Sequence, residues 1–302
     1  MKMRKILVGL ALLTFSQVAF AQLEEGQVNP NSLLNIPRYE QLYKVRVWRA
    51  IDLREKQNKG FFARSNEITD LIIKAVKSGE LADIYVYDSL DDAVSATNRK
   101  KSKEQFFEAM QAQVGQTFVT WDPTKDFYTD DKVTYNGKNY IAMDNSKGKN
   151  PETSADQWQV TQEGKATYYV PSQIYKLQLM EDVIFDKRRS RLYYDMQSIE
   201  LVVFNEDKGV DVSLGVFKYK DLEKLFRNHP KQAIWFNRYN TAENKNYADA
   251  FLLRLFHGTI YKIENPDNDQ IFDLYKSHME AVWAMEWEEM KLMEKEHNLW
   301  EY

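Results

Sequence analysis

The sequence contains no cysteine among its 302 residues. This absence excludes disulfide bonds, thiolate metal sites, a cysteine nucleophile and the lipid-attachment site of a bacterial lipoprotein. Glycine is scarce, with 11 residues, and no P-loop, dinucleotide glycine fingerprint or serine nucleophile elbow occurs. The four histidines include no pair with the i, i+4 spacing of a helical zinc site: His229, His257, His278 and His297. The sequence therefore predicts no catalytic residues, no metal site and no cofactor.

The first 21 residues have the three parts of a signal peptide. Three basic residues precede the apolar stretch 6–15, and Ala19-Phe20-Ala21 supplies the small residues that a signal peptidase needs. The apolar stretch is shorter than the ~20 residues of a membrane-spanning helix. We therefore expect residues 1–21 to be removed on export and the remaining chain to reach a membrane only through partners.

The charge balance of the exported chain is mildly acidic. Removing residues 1–21 takes away three positive charges and no negative ones, so the formal charge changes from −4 to −7. This balance argues against nucleic acid as a partner, because nucleic-acid binding usually needs a basic patch. The chain is rich in aromatic residues, with 18 Tyr and 7 Trp, and both types are enriched at protein interfaces.

Apolar residues at helical spacing predict several helices. Ser65 is the predicted N-cap and Gly79 the predicted end of a helix with five such residues: Ile68, Leu71, Ile72, Ala75 and Val76. Three further helices are predicted, over 100–114, 221–227 and 248–260. The longest helix is predicted at the C-terminus from one apolar stripe: Phe272, Tyr275, Met279, Trp283, Trp287 and Met290.

Strands are predicted on both sides of a turn-rich segment. Residues 174–186 and 192–204 form two long β-prone runs joined by a charged turn. The stretch 43–51 has the alternation of a strand, but its apolar residues also recur every three positions, so a helix remains open there. Asn136-Gly137 between two short β runs predicts a hairpin with a type I′ turn.

These patterns predict an α+β fold, with a mixed core of helices and antiparallel strands, a small inserted all-β module and a long C-terminal helix. The predicted divisions are the signal peptide 1–21, an extended arm 22–39, a first core segment 40–115, the inserted module 117–163, and a second core segment 165–302.

Two features could be functional or structural. Glu181, Asp182 and Asp186 lie beside the basic turn, where a solvated, charge-balanced hairpin tip is favoured over the acidic pair of a hydrolase. The stripe on the last helix is typical of a core-facing surface, and its tryptophans make a partner surface the second interpretation.

The segment 47–56, Val-Trp-Arg-Ala-Ile-Asp-Leu-Arg-Glu-Lys, resembles the gliding motility family GldN, also called PorN, of the type IX secretion system. The resemblance continues in three segments: 79–92, 176–190 and 296–302. The sequence departs from the family pattern at 201–205 and at 234–237. The resemblance implies a periplasmic structural protein without enzyme activity. It also implies a ring built from copies of the chain with a GldK- or PorK-like outer-membrane lipoprotein, coupled to GldM- or PorM-like periplasmic motor arms.

Candidate contact residues for these partners mix aromatic and charged groups: Trp48, Arg49, Asp52, Arg54, Glu55, Trp283, Trp287 and Trp300. Internal packing with paired charges is the alternative for the first five of them, and it is slightly favoured.

The turn-rich segment 117–163 resembles a small chitin-type carbohydrate-binding module through five aromatic residues: Trp121, Tyr128, Tyr135, Tyr140 and Trp158. In such modules a pair of exposed tryptophans stacks on the sugar, but Asp144 and Asn145 occupy those positions. The resemblance therefore implies that most of the five aromatics form the core of the module. Glycan or peptidoglycan binding through this module is the alternative function.

Overall fold

The computed structural model describes residues 28–86, 99–113, 118–161, 167–205 and 209–299. The chain divides into two compact units. The first unit joins the residues up to Phe106 with those from Pro171 onward, and the second is Phe107–Val170. The predicted signal peptide, part of the family-like segment 79–92 and Trp300 lie outside the described residues.

Strands predominate in the described residues. There are nineteen, in chain order: β1 (Gln41–Asp52), β2 (Phe62–Ala63), β3 (Asn66–Glu67), β4 (Ile84–Tyr85), β5 (Lys100–Lys101), β6 (Gln111–Gln113), β7 (Val119–Thr120), β8 (Asp126–Phe127), β9 (Lys132–Tyr135), β10 (Lys138–Ala142), β11 (Ser146–Lys147), β12 (Trp158–Thr161), β13 (Thr167–Tyr168), β14 (Lys176–Asp186), β15 (Arg191–Asn205), β16 (Val210–Lys218), β17 (Ile234–Trp235), β18 (Lys245–Asn246) and β19 (Thr259–Ile263). The six α-helices of the described chain are α1 (Ile68–Ser78), α2 (Lys103–Ala109), α3 (Tyr219–Asn228), α4 (Tyr247–Leu252), α5 (Ile271–Leu274) and α6 (His278–Leu299). Short 3₁₀ helices occur at Arg38–Glu40, Asn58–Phe61, Pro171–Gln173 and Thr241–Glu243.

Seven strands of the first unit form one sheet, in the order β19-β1-β14-β15-β16-β4-β5. Every neighbouring pair in it is antiparallel. The two long predicted β runs are confirmed as β14 and β15, and their tight turn ends at Ser190 with a φ of 50°. Both strands are buried over most of their length, as expected for central strands that are covered on both faces.

Residues 43–51 lie within β1, so the strand interpretation is confirmed and the helical one is wrong. In the pairing with β14, Val47 lies opposite Glu181 and Arg49 lies opposite Leu179. Val47, Arg49 and Ile51 are buried, while the intervening Ala50 is exposed. This alternation follows from the two-residue period of a strand.

The predicted helix after Ser65 is confirmed as α1, and its five predicted apolar residues are all buried. Gly79 ends it with a φ of 86°, in the left-handed region that glycine enters at low cost. The predicted N-cap was wrong: Ser65 lies in a turn with a φ of 64°. The helix begins at Ile68 after an extended Glu67 that makes no capping bond through its side chain.

Three other helix predictions have different outcomes. The helix over 221–227 is confirmed within α3. The predicted helix over 100–114 is shorter, because Lys100–Lys101 before α2 form β5 and Gln111–Gln113 after it form β6. The predicted helix over 248–260 ends with α4, and its last residues enter β19 at the edge of the sheet. Gly258 precedes β19 where an added Cβ would lie 2.8 Å from the carbonyl oxygen of Ala50, so this approach to β1 requires glycine.

The second unit contains a four-stranded sheet in the order β12-β10-β9-β7. The hairpin prediction is confirmed, because β9 and β10 pair across Asn136 and Gly137, whose φ values are 48° and 74°. Two positive φ values are the signature of a type I′ turn. The core of the second unit contains Phe127, which the sequence pattern had not singled out.

The architecture confirms the predicted α+β class with a long C-terminal helix. None of the helices in the described part of the chain has the length and apolar character needed to cross a membrane.

Candidate functional site

Arg49, from the family-like segment 47–56, occupies the centre of a buried ion network. Its side chain is 4% exposed. Its Nε donates to Glu181 Oε1 at 3.1 Å, and its Nη1 donates to the Gly258 carbonyl at 2.6 Å and to Glu289 Oε2 at 2.7 Å. One guanidinium therefore connects β1, β14, the residue before β19, and α6.

Glu181 is fully buried between two arginines. Besides Arg49, Arg254 binds it in a bidentate manner, with Nη1–Oε2 at 2.7 Å and Nη2–Oε1 at 3.2 Å. Burial acts to raise the pKa of Glu181, but the charges and hydrogen bonds of Arg254 and Arg49 outweigh it and hold the pKa below its usual value. Arg254 also lies over the ring of Tyr194, 4.0 Å from its centroid. Sequence spacing could not single out Glu289 or Arg254, because Glu289 is 240 residues from Arg49 and Arg254 is 73 residues from Glu181.

The predicted solvated hairpin tip is wrong for all three carboxylates. Glu181, Asp182 and Asp186 are each 0% exposed. Asp182 receives bonds from Arg46 at 2.6 and 3.0 Å and pairs with Lys44 at 2.8 Å. Glu181 and Asp182 lie within β14, several residues before the turn, and successive residues of a strand point to opposite faces. Each buried carboxylate therefore needs cations on its own side of the sheet.

Asp186 is the one of the three that adjoins the turn, and it binds the turn backbone. Its Oδ1 accepts the N–H of Arg188 at 2.8 Å, and its Oδ2 accepts Arg189 Nη1 at 2.6 Å. These bonds outweigh the effect of burial and lower its pKa. Carboxylates held ionised by cations and N–H donors fit a structural role better than the acid–base pair of the hydrolase alternative.

The remaining charged residues of segment 47–56 also pair within the chain. Asp52 binds Arg54 at 2.7 Å, and the Arg54 guanidinium lies 3.6 Å from the centroid of the Tyr175 ring. Glu55 Oε2 is 2.8 Å from His257 Nδ1. These contacts favour the internal-packing interpretation of the segment.

Trp48 is half-buried on the face of β1 opposite Arg49. The ammonium group of Lys262 lies 4.4 Å from the centroid of its ring. Lys262 is 2% exposed, and burial lowers its pKa. The indole N–H of Trp48 has no hydrogen-bond partner in the described part of the chain. Trp48 thus contributes packing around a buried lysine.

Glu200 on β15 is buried and gives a specific pH dependence. Burial raises its pKa to about 7, against the opposing effects of the Ser213 hydroxyl and the charge of Lys101. A carboxyl group whose pKa is higher in the folded than in the unfolded state destabilises the fold as pH rises between the two values. Asp195, whose pKa burial raises to about 6, acts in the same direction.

We therefore expect Glu200→Gln to gain stability over the unchanged protein as the pH rises from 5 to 8. The relative gain should reach about 2–3 kcal/mol, because one pKa unit corresponds to about 1.4 kcal/mol. Urea denaturation at both pH values measures it. A constant difference between variant and parent across this range would contradict the prediction. Glu181 and Asp186 do not interfere, because their lowered pKa values act at lower pH.

The predicted apolar stripe at the C-terminus is exposed, so its core-facing interpretation is wrong. All six of its residues are exposed, including Trp283 at 61% and Trp287 at 53%. The buried side of α6 is instead formed by Ala281, Met285 and Leu292. The helix carries apolar residues at helical spacing on two opposite sides, and periodicity alone does not say which side faces the core.

The exposed side of α6 also carries acidic residues. At 100° per residue, five large apolar residues fall within an arc of about 120°: Met279, Trp283, Trp287, Met290 and Met293. Glu286 and Glu294 fall inside the same arc. The whole helix contains six Glu and two Lys. We call the five apolar residues of this arc, together with Glu286 and Glu294, the acidic–apolar face of α6. Contiguous exposed apolar surface of this kind often marks an interaction site.

The aromatic residues of the second unit mostly form its core. Trp158 and Tyr140 are each 2% exposed, and Trp121 and Tyr135 pack against this core. The ring centroids of Trp121 and Tyr135 are 5.2 Å apart. The indole of Trp158 donates to the Lys149 carbonyl at 3.0 Å. Tyr128, at 63%, is the exposed member of the predicted five.

The described residues thus form an α+β fold with buried, internally paired charges and an exposed acidic–apolar helix face. The model of one family, described as gliding motility associated protein GldN, matches residues 36–301. The chain belongs to this gliding-motility family. No curated protein matches it.

Proposed function

We propose that the chain is a periplasmic structural subunit of the type IX protein secretion and gliding machinery. In this proposal it assembles with copies of itself and with a GldK-like outer-membrane lipoprotein into a large ring, which GldM-like periplasmic arms couple to the motor. The observation that carries the proposal is the family match over 36–301, which includes both long central strands and α6.

The physical features of the chain support an assembly role. A ring subunit needs surfaces that remain uncovered in the single chain, and the acidic–apolar face of α6 is such a surface. The lack of cysteine excludes a lipid anchor on cysteine, so attachment to the outer membrane would come from the lipoprotein partner. The signal-peptide pattern of residues 1–21 supports export to the periplasm.

Glycan binding is not favoured by the geometry of the second unit. Sugar-binding surfaces stack pyranose rings on exposed aromatic side chains, whereas Trp121, Tyr135, Tyr140 and Trp158 pack against one another. A structural role in the assembly therefore accounts better for this unit.

Co-expression of the chain with its cognate lipoprotein should give large annular particles, visible by negative-stain electron microscopy. The lipoprotein without the chain is the control, and it should give no such particles. A chain that remains monomeric in the mixture, as judged by sedimentation velocity, would contradict the proposal.

A further inference from the structure

A basic groove lies on the first unit, and no residue of α6 lines it. Two segments line it: 56–64 around the second 3₁₀ helix, and 235–239 from the last residue of β17 onward. Its volume is ≈ 690 Å³, and its lining contains four cationic side chains and no carboxylate: Lys56, Lys59, Arg64 and Arg238. This is an unusual concentration of one charge in a chain with a net charge of −4.

Among the described residues, none of opposite charge pairs with these four cations. In the described part of the chain, no carboxylate lies within ion-pair distance of Lys56, Lys59, Arg64 or Arg238, although many other basic residues are paired. Lys59 is 5.7 Å from the ring centroid of Phe62. An anionic partner would therefore find four available cations in one concave site.

The groove also presents aromatic surface on a fixed floor. Phe236 is 43% exposed and Tyr239 is 86% exposed. The floor is held by Trp235, which packs so closely on Gly60 that an added Cβ would lie 2.3 Å from its Nε1. The backbone N–H of Phe236 also donates to the Gly60 carbonyl at 2.9 Å. Arginine and exposed aromatic side chains are typical of interface residues that bind an anchor from a partner.

The acidic–apolar face of α6 is complementary to this groove in charge and in polarity. The face offers Trp283 and Trp287 as large anchors and Glu286 and Glu294 as anions inside the same arc. The groove offers cations and aromatic surface. The two surfaces lie on different elements, so each copy of the chain carries both. A contact between two different surfaces of identical chains is heterologous, and repeated contacts of this kind produce rings or helical filaments.

We propose that the acidic–apolar face of α6 in one copy binds the basic groove of the next copy, which joins the subunits head to tail. The proposal rests on the self-assembly in the proposed function and names the surfaces that carry it. Trp287 enters the groove beside Phe236 and Tyr239, and Glu286 pairs with Arg238. Apolar burial supplies affinity, while the charges set the direction of the contact.

The lack of cysteine makes a disulfide cross-linking test direct. A chain with both Arg238→Cys and Glu286→Cys should form a ladder of disulfide-linked oligomers under mild oxidation, because each copy then offers a thiol to each neighbour. A mixture of the two single variants should stop at dimers. The matched control pairs Glu286→Cys with Lys74→Cys, on the exposed side of α1, and should give about tenfold less cross-linked product. All samples are exported chains, purified alone and with the lipoprotein.

Charge reversal provides a second measurement without cysteines. Arg238→Glu should weaken self-association about tenfold in sedimentation velocity, and adding Glu286→Lys in the same chain should restore most of the loss, because the pair is then reversed. The double variant also controls for misfolding of the single one.

The outcomes separate this inference from the proposed function. Annular particles that form normally without the 238–286 ladder would overturn the inference and leave the function intact. The ladder without annular particles would support the inference and contradict the ring. A chain that stays monomeric with and without the lipoprotein would overturn both.

Discussion

Replacement of Glu181 by alanine is expected to lower the free energy of unfolding by about 3–5 kcal/mol, the usual cost of removing one partner from a buried ion pair. The carboxylate is fully buried, and Arg49 and Arg254 both bind it. Its removal would leave Arg254 without its bidentate partner. It would also remove the hydrogen bond by which Arg49 on β1 binds β14. Urea denaturation at pH 7, followed by far-UV circular dichroism, measures the loss.

The matched control is an exposed ion pair in the same unit. Lys74→Ala removes the partner of Asp70 from the surface of α1, and it should cost no more than about 0.5 kcal/mol. Similar losses for Lys74→Ala and Glu181→Ala would show that burial does not strengthen the Glu181 network.

The same network has a testable dependence on pH. Because the pKa of Glu181 is lowered from 4.5 in the folded chain, the stabilisation by its ionised form is present above pH 4.5 and is lost as the pH falls through the native pKa. The stability difference between the unchanged protein and Glu181→Gln should therefore shrink as the pH is lowered from 5 to about 3.

Replacement of Phe251 by alanine should be comparably destabilising, at about 3–5 kcal/mol, because it leaves a cavity in a close-packed aromatic cluster. Phe251 on α4 is 1% exposed. Its ring centroid lies 4.8 Å from that of Phe61, 5.6 Å from that of Phe256 and 5.8 Å from that of Tyr219. Thermal unfolding should show a clear fall in Tm.

A neighbouring residue on the same helix provides the control for Phe251. Leu252 is 66% exposed, so Leu252→Ala should change the unfolding free energy by no more than about 0.5 kcal/mol. If Leu252→Ala destabilised the protein as much as Phe251→Ala, the aromatic cluster would not be the source of the effect.

Sequence patterns located Phe251 in a helix correctly, but they predicted the wrong environment for Glu181. Phe251 and Leu252 are adjacent residues of the predicted helix 248–260, and the structure buries Phe251 while it leaves Leu252 exposed. Glu181 was assigned to a solvated tip because it precedes a basic turn by a few residues. The actual register puts it inside β14, opposite Val47 and Met196. Its position near the turn in the sequence does not predict that Arg49 from β1 and Arg254 from the chain after α4 bind it.

The C-terminal stripe shows the same limit. Its spacing correctly indicated helix from Met279 onward, but Phe272 lies in the separate short helix α5 and Tyr275 is extended between α5 and α6. On the other side of α6, Met285 and Leu292 join the core cluster beside the sheet, and Ala281 is also buried. The tryptophans that looked like core residues are the exposed ones, which is why the partner interpretation now rests on geometry as well as on residue type.

Local rules were sufficient where the conformation depends on neighbouring residues. The two long strands, the type I′ turn at Asn136-Gly137 and the helix end at Gly79 could be predicted, because backbone sterics and residue period determine them over a few residues. For β1 the same local patterns left strand and helix both open, and only the pairing with β14 and β19 decided between them. Burial of charge could not be predicted, because it depends on partners far away in the chain. Arg49 and Glu289 are 240 residues apart, and only the tertiary structure brings them together, buries Glu181 beside them and leaves the acidic–apolar face of α6 exposed.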